Sequence, residues 1–571
     1  MKKALVAATV IAIGAGAYWV SQQKEQPNNA MLAYIPADTP LLSAQFSPFP
    51  IKDYIDSIPA SQKQYPAELR ELMREEDDPR AKFFLGLFNR YMGSIKDGQT
   101  FIDTFGLPQN ITSYFYTLGA IPVLKLGVAK PEAIWALLDS LEAESGLVHE
   151  MRSLDNVNYR AYSLMDKDET ERVDLVVAID NGLLTMTLST SFSEPTLLET
   201  ALGIKAVTNP IGDTHIIEET IAKHGFLKDG LSYINHQELV KGITTRDGNQ
   251  LAKQLTRLFA MANEDPFIEL RSQVCRDEFN GIANNWPRTV MGYTNFELTK
   301  QQTTMGLSTV IESNNQVIMG AVQQIRGFLP AYTQDISSSV FSVGLGIDVD
   351  QFVPAITKVW DDLLTPSYQC EPLRQMQAEM EGQSPAMLGM FAGMANGVKG
   401  VSVSLINYEL NEVAADVEIK TLDAIVTLSA EDPATLFNMV KPFAPELANI
   451  QLPKDGSPVD LSSALQLPAY YGFTANMALK GNHLAVYSGD KAQQVADGLV
   501  NETLSSNGLL TLSADYSKLF TPMMTLMEMS GEPIPEELAA LKDYNMKIKV
   551  DFDVNANGIA INTFMQTASD K

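Results

Sequence analysis

Two kinds of apolar periodicity run through the chain, and each predicts a different element. In DLVVAIDNGLLTMTLST, from Asp174, apolar and polar residues alternate on both sides of Asp180-Asn181-Gly182, which predicts two antiparallel strands joined by a tight turn. GFTANMALKGNHLAVYSG, from Gly472, repeats that arrangement around Lys480-Gly481-Asn482. The other period is helical. In FPIKDYIDSI, from Phe49, the residues Ile51, Tyr54, Ile55 and Ile58 fall at i, i+3, i+4 and i+7 and predict an amphipathic helix. IDVDQFVPAI, from Ile347, places Val349, Phe352, Val353 and Ile356 at the same spacing.

These pairs belong to a longer series at a separation of about 300 residues. Tyr34-Ile35-Pro36-Ala37-Asp38-Thr39 matches Phe328-Leu329-Pro330-Ala331-Tyr332-Thr333, and Leu69-Arg70 matches Leu373-Arg374. Leu85-Gly86-Leu87-Phe88 matches Leu388-Gly389-Met390-Phe391. GVAKPEAIWALL, from Gly127, matches LSAEDPATLFNMV, from Leu428, with Pro131 and Pro433 at a helix start, where a missing N–H costs nothing. Helices are predicted near Glu194 to Leu202 and Lys491 to Val500, and closing hairpins near Thr289 to Ile311 and Met546 to Met565.

Matches that keep one order over the whole length predict a tandem duplication. Strands that arrive as hairpins predict an α+β class: two related domains, each a mainly antiparallel sheet with helices packed on one face. The expected organisation is an N-terminal segment and tether over 1–30, a first repeat over 31–325 and a second over 326–571, meeting near Gln324 to Gly327. EDPFIELRSQVCRDEFNGIANNWP, 264–287, has no counterpart in the second copy and reads as an insertion.

Composition agrees with folded domains. Hydrophobic residues make up 45% of the 571 and charged residues 19%, enough apolar material for sizeable cores. Asp and Glu number 69 against 42 Lys and Arg, and the net charge of -27 repels phosphate backbones, so nucleic acid is not an expected partner. MKKALVAATVIAIGAGAYWV is an export signal: two lysines, then an uncharged run from Ala4 to Val20. Ala15-Gly16-Ala17 suits a cleavage site, whereas Tyr18 and Trp19 suit an interfacial anchor, and we favour the anchor. The rest is then expected on the periplasmic side of the inner membrane, tethered there, or soluble in the periplasm after cleavage. No cysteine lies near the junction, which excludes a lipid-modified cysteine there.

The two cysteines, Cys275 and Cys370, can form one disulfide in an oxidising compartment or remain as two buried thiols. Motifs that carry chemistry fail on inspection. DVNANG, from Asp553, begins like a calcium loop, but position twelve is Phe564 and the flanks alternate like strands, so a hairpin turn is expected. GLGIDV, from Gly344, lacks the third glycine of a dinucleotide loop. His149, His215, His224, His236 and His483 form no metal pair, and no catalytic residue, metal site or cofactor is expected. Met376, Met380, Met387, Met390, Phe391 and Met394 recur close to helical spacing, and adaptable thioethers suit either an irregular core or a face for apolar ligands; the core is preferred, because Leu85 to Phe88 hold equivalent helix positions in the other copy without methionine. A second methionine cluster comprises Met523, Met524, Met527 and Met529.

Ile35-Pro36-Ala37-Asp38-Thr39-Pro40, following an apolar N-terminal run, resembles the opening of a family of uncharacterised bacterial envelope proteins whose exported part starts with a Pro-Ala-Asp-Thr segment. The resemblance implies an envelope location and carries over no activity and no site residues. The expected function is therefore a non-enzymatic, membrane-tethered envelope protein that binds an envelope protein or an apolar ligand such as lipid. The alternative is a periplasmic hydrolase whose site leaves no motif.

Overall fold

The computed structural model describes residues 30–58, 63, 77–166, 171–299, 302–383, 385, 389, 392–413, 416–464, 474–530 and 545–568. The N-terminal apolar run lies outside them, and among the described residues no helix is long and apolar enough to cross a membrane. The chain divides into two compact units: Met1–Asn314 with Gln369–Leu373, and Asn315–Tyr368 with Arg374–Asp570. The division falls ahead of Gln324 to Gly327, so the helix Gln316–Ile325 belongs to the second unit.

The described strands of the first unit are β1 (Leu41–Phe49), β2 (Ile111–Leu118), β3 (Ile121–Gly127), β4 (Glu150–Leu154), β5 (Val157–Ser163), β6 (Val173–Asp180), β7 (Leu183–Thr190), β8 (Gly230–Asn235), β9 (Arg288–Leu298) and β10 (Gln302–Glu312). They pair in the order β4-β5-β6-β7-β3-β2-β1-β8-β9-β10, antiparallel throughout. The hairpin predicted at Asp180-Asn181-Gly182 is β6–β7, and its turn residues Asn181 (φ 49) and Gly182 (φ 76) take the left-handed conformation that a two-residue turn needs.

Four helices cover one face: α1 (Ile51–Ser57), α2 (Pro79–Ser94), α3 (Gly98–Thr104) and α4 (Pro131–Ser145). Their starts follow from local chemistry. Asp78 and Asp97 accept backbone N–H bonds from Arg80 and Thr100, and Pro131 stands in the first turn of α4. Phe83, Ile134, Leu138 and Leu141 pack on Leu175, Val177 and Leu184, while Ile51, Ile55 and Phe101 pack on Phe49, Ile111 and Tyr293. The alternate residues Val176 and Ala178 point the other way, where Leu198 and Leu202 of α5 (Pro195–Leu202) meet them. The unit is completed by α6 (Ile216–His224), α7 (His236–Thr244), α8 (Gln250–Ala262) and α9 (Gln273–Asn285).

The Ile-Pro-Ala-Asp-Thr stretch is stitched into this unit. Ile35 is buried, Ala37 N–H donates to Asn209 O (2.9 Å), and Thr39 Oγ1 donates to Thr117 O (2.7 Å), so the segment fixes where β1 begins. The expected insertion forms α9, which packs on α7 and is capped by Ser272, whose Oγ accepts from Cys275 N–H. Cys275 and Cys370 are disulfide-bonded (S–S 2.02 Å) and buried, and Glu278 accepts the N–H groups of Gln369 and Cys370 at 2.8 and 2.9 Å. Because Gln369–Leu373 count with the first unit, the bond lies inside it.

The second unit carries β11 (Phe341–Gly346), β12 (Val398–Val413), β13 (Asp416–Ala430), β14 (Val459–Asp460), β15 (Asn476–Lys480), β16 (His483–Ser488), β17 (Leu510–Asp515), β18 (Met546–Asn555) and β19 (Gly558–Ala568). They pair antiparallel in the order β14-β15-β16-β13-β12-β11-β17-β18-β19. From β5 to β10 this is the strand order of the first unit, with β11 in the place of β1, β17 in that of β8 and β16 in that of β7, while β4 has no counterpart among the described residues. Its described helices are α10 (Gln316–Ile325), α11 (Ala331–Gln334), α12 (Val349–Leu363), α13 (Glu371–Glu381, from Arg374 onward), α14 (Pro433–Val440), α15 (Leu461–Ala464), α16 (Asp490–Gly498) and α17 (Tyr516–Ser530). Small residues let α16 lie close to one face, with Ala492 and Ala496 on Ala478 and Ala485. On the other face Phe437 of α14 packs with Leu484 and Met477.

Candidate functional site

Register makes the two sheets comparable residue by residue. In the first unit Leu42 pairs with Tyr116 and Tyr233, and Ala44 with Tyr114 and Leu231. In the second, Ser342 pairs with Ser404 and Ser513, and Gly344 with Ser402 and Thr511. All of these side chains are buried. The face that is aliphatic and aromatic in the first sheet is therefore hydroxylic in the second.

A covering segment explains the small residues. Phe328 to Thr333 lies directly on this face, so close that a Cβ on Gly344 would stand 2.9 Å from Leu329 Cδ2. Tyr332 serves part of the hydroxyl layer, with its OH 2.7 Å from Ser402 Oγ and 2.9 Å from Thr427 Oγ1. His483, also buried, has Nδ1 2.9 Å from Ser429 Oγ, and burial pushes its pKa down.

Because strand side chains alternate, the large apolar residues of the same strands project from the opposite face. They form two cross-strand rows. Ile561, Phe552, Leu510, Leu345 and Val401 make one, and Val550, Leu512, Val343, Val403 and Val426 the other. Val343 and Val550 are half-buried, and the other eight are 37–46% exposed. At strand spacings near 4.8 Å the rows floor a trough about 25 Å by 14 Å, or roughly 350 Å². An open apolar patch of a few hundred Å² is characteristic of an interaction surface. The first unit differs in part: at the positions of Val343, Leu345, Val401 and Leu512 it carries Ser43, Gln45, Ser113 and Ser232, whereas at those of Val403, Val426 and Val550 it keeps the apolar Phe115, Leu124 and Met291.

Charge gathers at one end. Val349, in the first turn of α12, packs in one cluster with Leu428, the residue next in line to Val401 across β12–β13. There Lys399 Nζ lies 3.0 Å from Asp348, 2.9 Å from Asp350 and 3.0 Å from Glu431. Three carboxylates around one ammonium leave two negative charges. Burial works against the Lys399 charge, but Asp350, Asp348 and Glu431 outweigh it and raise its pKa, while the Lys399 bond lowers that of Asp350.

The methionines are placed differently. Met376 is exposed and Met380 half-buried on α13, where Leu373 and Gln377 face inward. Met394 is exposed in a separate 3-10 turn, Gly393–Ala395. Met387, Met390 and Phe391 lie outside the described residues. In α17 Met524 is buried, and Met523 and Met527 are half-buried. DVNANG is the β18–β19 hairpin turn, and Asp553 is held by Arg326 at 2.7 and 2.8 Å. GLGIDV joins β11 to α12, with Asp348 capping the helix.

Two buried ionic sites escaped the sequence reading. Glu312, 1% exposed, accepts from Lys223, His224 and Arg288, each at 2.8 Å. Burial alone would raise its pKa, but His224, Lys223 and Arg288 bring it down to about 2. Lys125, on β3, is 1% exposed, donates to Thr185 Oγ1 at 3.0 Å and lies over the Tyr34 ring. Burial lowers its pKa to about 8 against a weaker opposing pull from Asp180. Among the described residues no group of three or more His, Cys, Asp or Glu side chains could hold a metal ion.

No family model, curated protein or solved structure matches the chain.

Proposed function

We propose that this chain is a non-enzymatic bacterial envelope protein, tethered to the inner membrane by its N-terminal segment, whose second unit binds an apolar partner on its open sheet face. The inverted polarity of that sheet carries the reading, since Ser, Thr and Gly are buried while Val, Leu, Ile and Phe of the same strands face outward. The buried Cys275–Cys370 disulfide supports an oxidising compartment, and the apolar run from Ala4 to Val20 supports export. The common strand order supports descent of the two units by duplication, with apolar rows left exposed on this face of the second.

Covering roughly 350 Å² contributes about 9 kcal/mol at 25 cal/mol per Å², before the cost of association. That cost is about 4–15 kcal/mol, so the contact is suited to weak, reversible binding. A photocrosslinking residue at Val403, in protein expressed in its native envelope, tests this. Specific adducts are expected there and not from a control position at Lys420. Equal labelling from both positions would sink the reading.

A further inference from the structure

Resting on that reading, we propose that the occupant of the trough is an amphipathic helix carrying basic residues at one end. The sheet already contains the precedent. Where the same face continues over β13, β16 and β15, it is covered by α14, with Phe437 packed among Met477, Leu484, Leu428 and Val486. In the first unit, too, the equivalent face is covered by helices, and Ile134, Leu138 and Leu141 supply the apolar stripe at i, i+4 and i+7. The trough repeats these apolar rows, and although α17 touches β12, β17 and β18, with Tyr408 OH donating to Leu519 O, eight of the ten row residues stay 37–46% exposed among the described residues. Its length of about 25 Å corresponds to about 17 residues of helix at 1.5 Å per residue, and helices pack side by side at about 8–10 Å.

Charge separates this occupant from its rivals. A second copy brings another -27 charge and an identical acidic end, and about 700 Å² buried between two such faces falls short of the 1,200–2,000 Å² of stable dimers. A lipid chain needs enclosing walls, and the floor is an open sheet; anionic headgroups would also meet the same negative field. The excess carboxylates at Asp348, Asp350 and Glu431 favour Lys or Arg at the helix end that lies beside them.

The test uses the full chain in nanodiscs and three fluorescent peptides of about 18 residues: an amphipathic Leu/Ala helix with Lys at one end, its scrambled isomer, and a version with Glu in place of Lys. A fluorescent phospholipid with a single acyl chain is the fourth probe. Anisotropy should report saturable binding of the Lys peptide, at least tenfold weaker binding of the other two peptides, and at least tenfold loss with either Val403→Lys or the milder Leu512→Ser. Glu431→Lys should weaken the Lys peptide and strengthen the Glu peptide. Circular dichroism confirms that each variant is folded. Equal binding of the scrambled peptide overturns the helix proposal, as does saturable binding of the lipid alone that V403K abolishes, although an apolar site would then stand. If no probe responds to V403K or L512S, the apolar-binding reading fails with it.

Discussion

Replacing Lys125 with Met should make the protein more stable at neutral pH. The ammonium sits at 1% exposure with only neutral partners, Thr185 Oγ1 and the Tyr34 ring, and its pKa falls from 10.5 to about 8. Between these two values the unfolded chain holds a proton that the folded chain has lost, so stability rises with pH across that window. The penalty is fully present below about pH 8 and is relieved as pH rises through 10.5. A shift of about 2.5 units at 1.36 kcal/mol each is roughly 3 kcal/mol. Met keeps the stem's packing but loses the hydrogen bond and the cation–ring contact with Tyr34 and leaves the Thr185 hydroxyl unpaired, together about 1–3 kcal/mol, so a net gain of up to about 2 kcal/mol is expected at pH 7. Urea unfolding of the two proteins, compared at intervals from pH 7 to 10.5, measures the difference directly and cancels titrations they share. The Met variant's advantage should shrink by roughly 3 kcal/mol over that range. A difference that stays constant with pH would falsify the account of Lys125 as a charge held in the core.

Glu312→Gln should cost about 3 kcal/mol above pH 5, because the carboxylate's depressed pKa contributes stability that is lost as pH falls from 4.5 towards 2; the acid limb of a thermal melt should flatten in the variant. Reducing the Cys275–Cys370 bond should destabilise the first unit by about 4–5 kcal/mol, as expected for a closed loop of 95 residues, and an unchanged urea midpoint in dithiothreitol counts against it. Gly344→Ala should lower stability by about 1–3 kcal/mol, since its Cβ would press on Leu329; a neutral result means the covering segment sits less tightly. Val403→Lys should change stability by no more than about 1 kcal/mol while weakening binding, since the side chain is half in solvent; unfolding of the variant would make the trough a core.

Hairpins and helix starts were legible in the sequence because their chemistry is local. Asn181-Gly182 needs positive φ whatever surrounds it, and Pro131 and Pro433 mark first turns by their missing N–H. The trough was not legible. In FSVGLG and GVSVSL, alternation says that the two faces differ, and hydrophobicity alone would turn Val and Leu inward. What decides otherwise is Leu329 and Tyr332 lying on the Ser and Gly face, contacts set by the tertiary fold. The methionines recur close to helical spacing in the sequence, but α13 ends at Glu381 and Met394 belongs to another element. Glu312 drew no notice among 69 acidic residues, since its three basic partners come from two distant segments, Lys223-His224 and Arg288.

The placement of Gln369–Leu373 in the first unit has a consequence for biosynthesis. On the proposed route, in which the chain is exported from its N-terminus, that unit cannot be completed when residue 314 emerges. Cys275 must wait, its thiol open to other oxidants and to mispairing with foreign cysteines, until Cys370 has crossed as well. By then the opening strand of the second unit, β11, is already outside. Maturation of the first half is thereby timed by delivery of the second, and a nascent chain stalled between them would display an unpaired thiol by which quality control could recognise it.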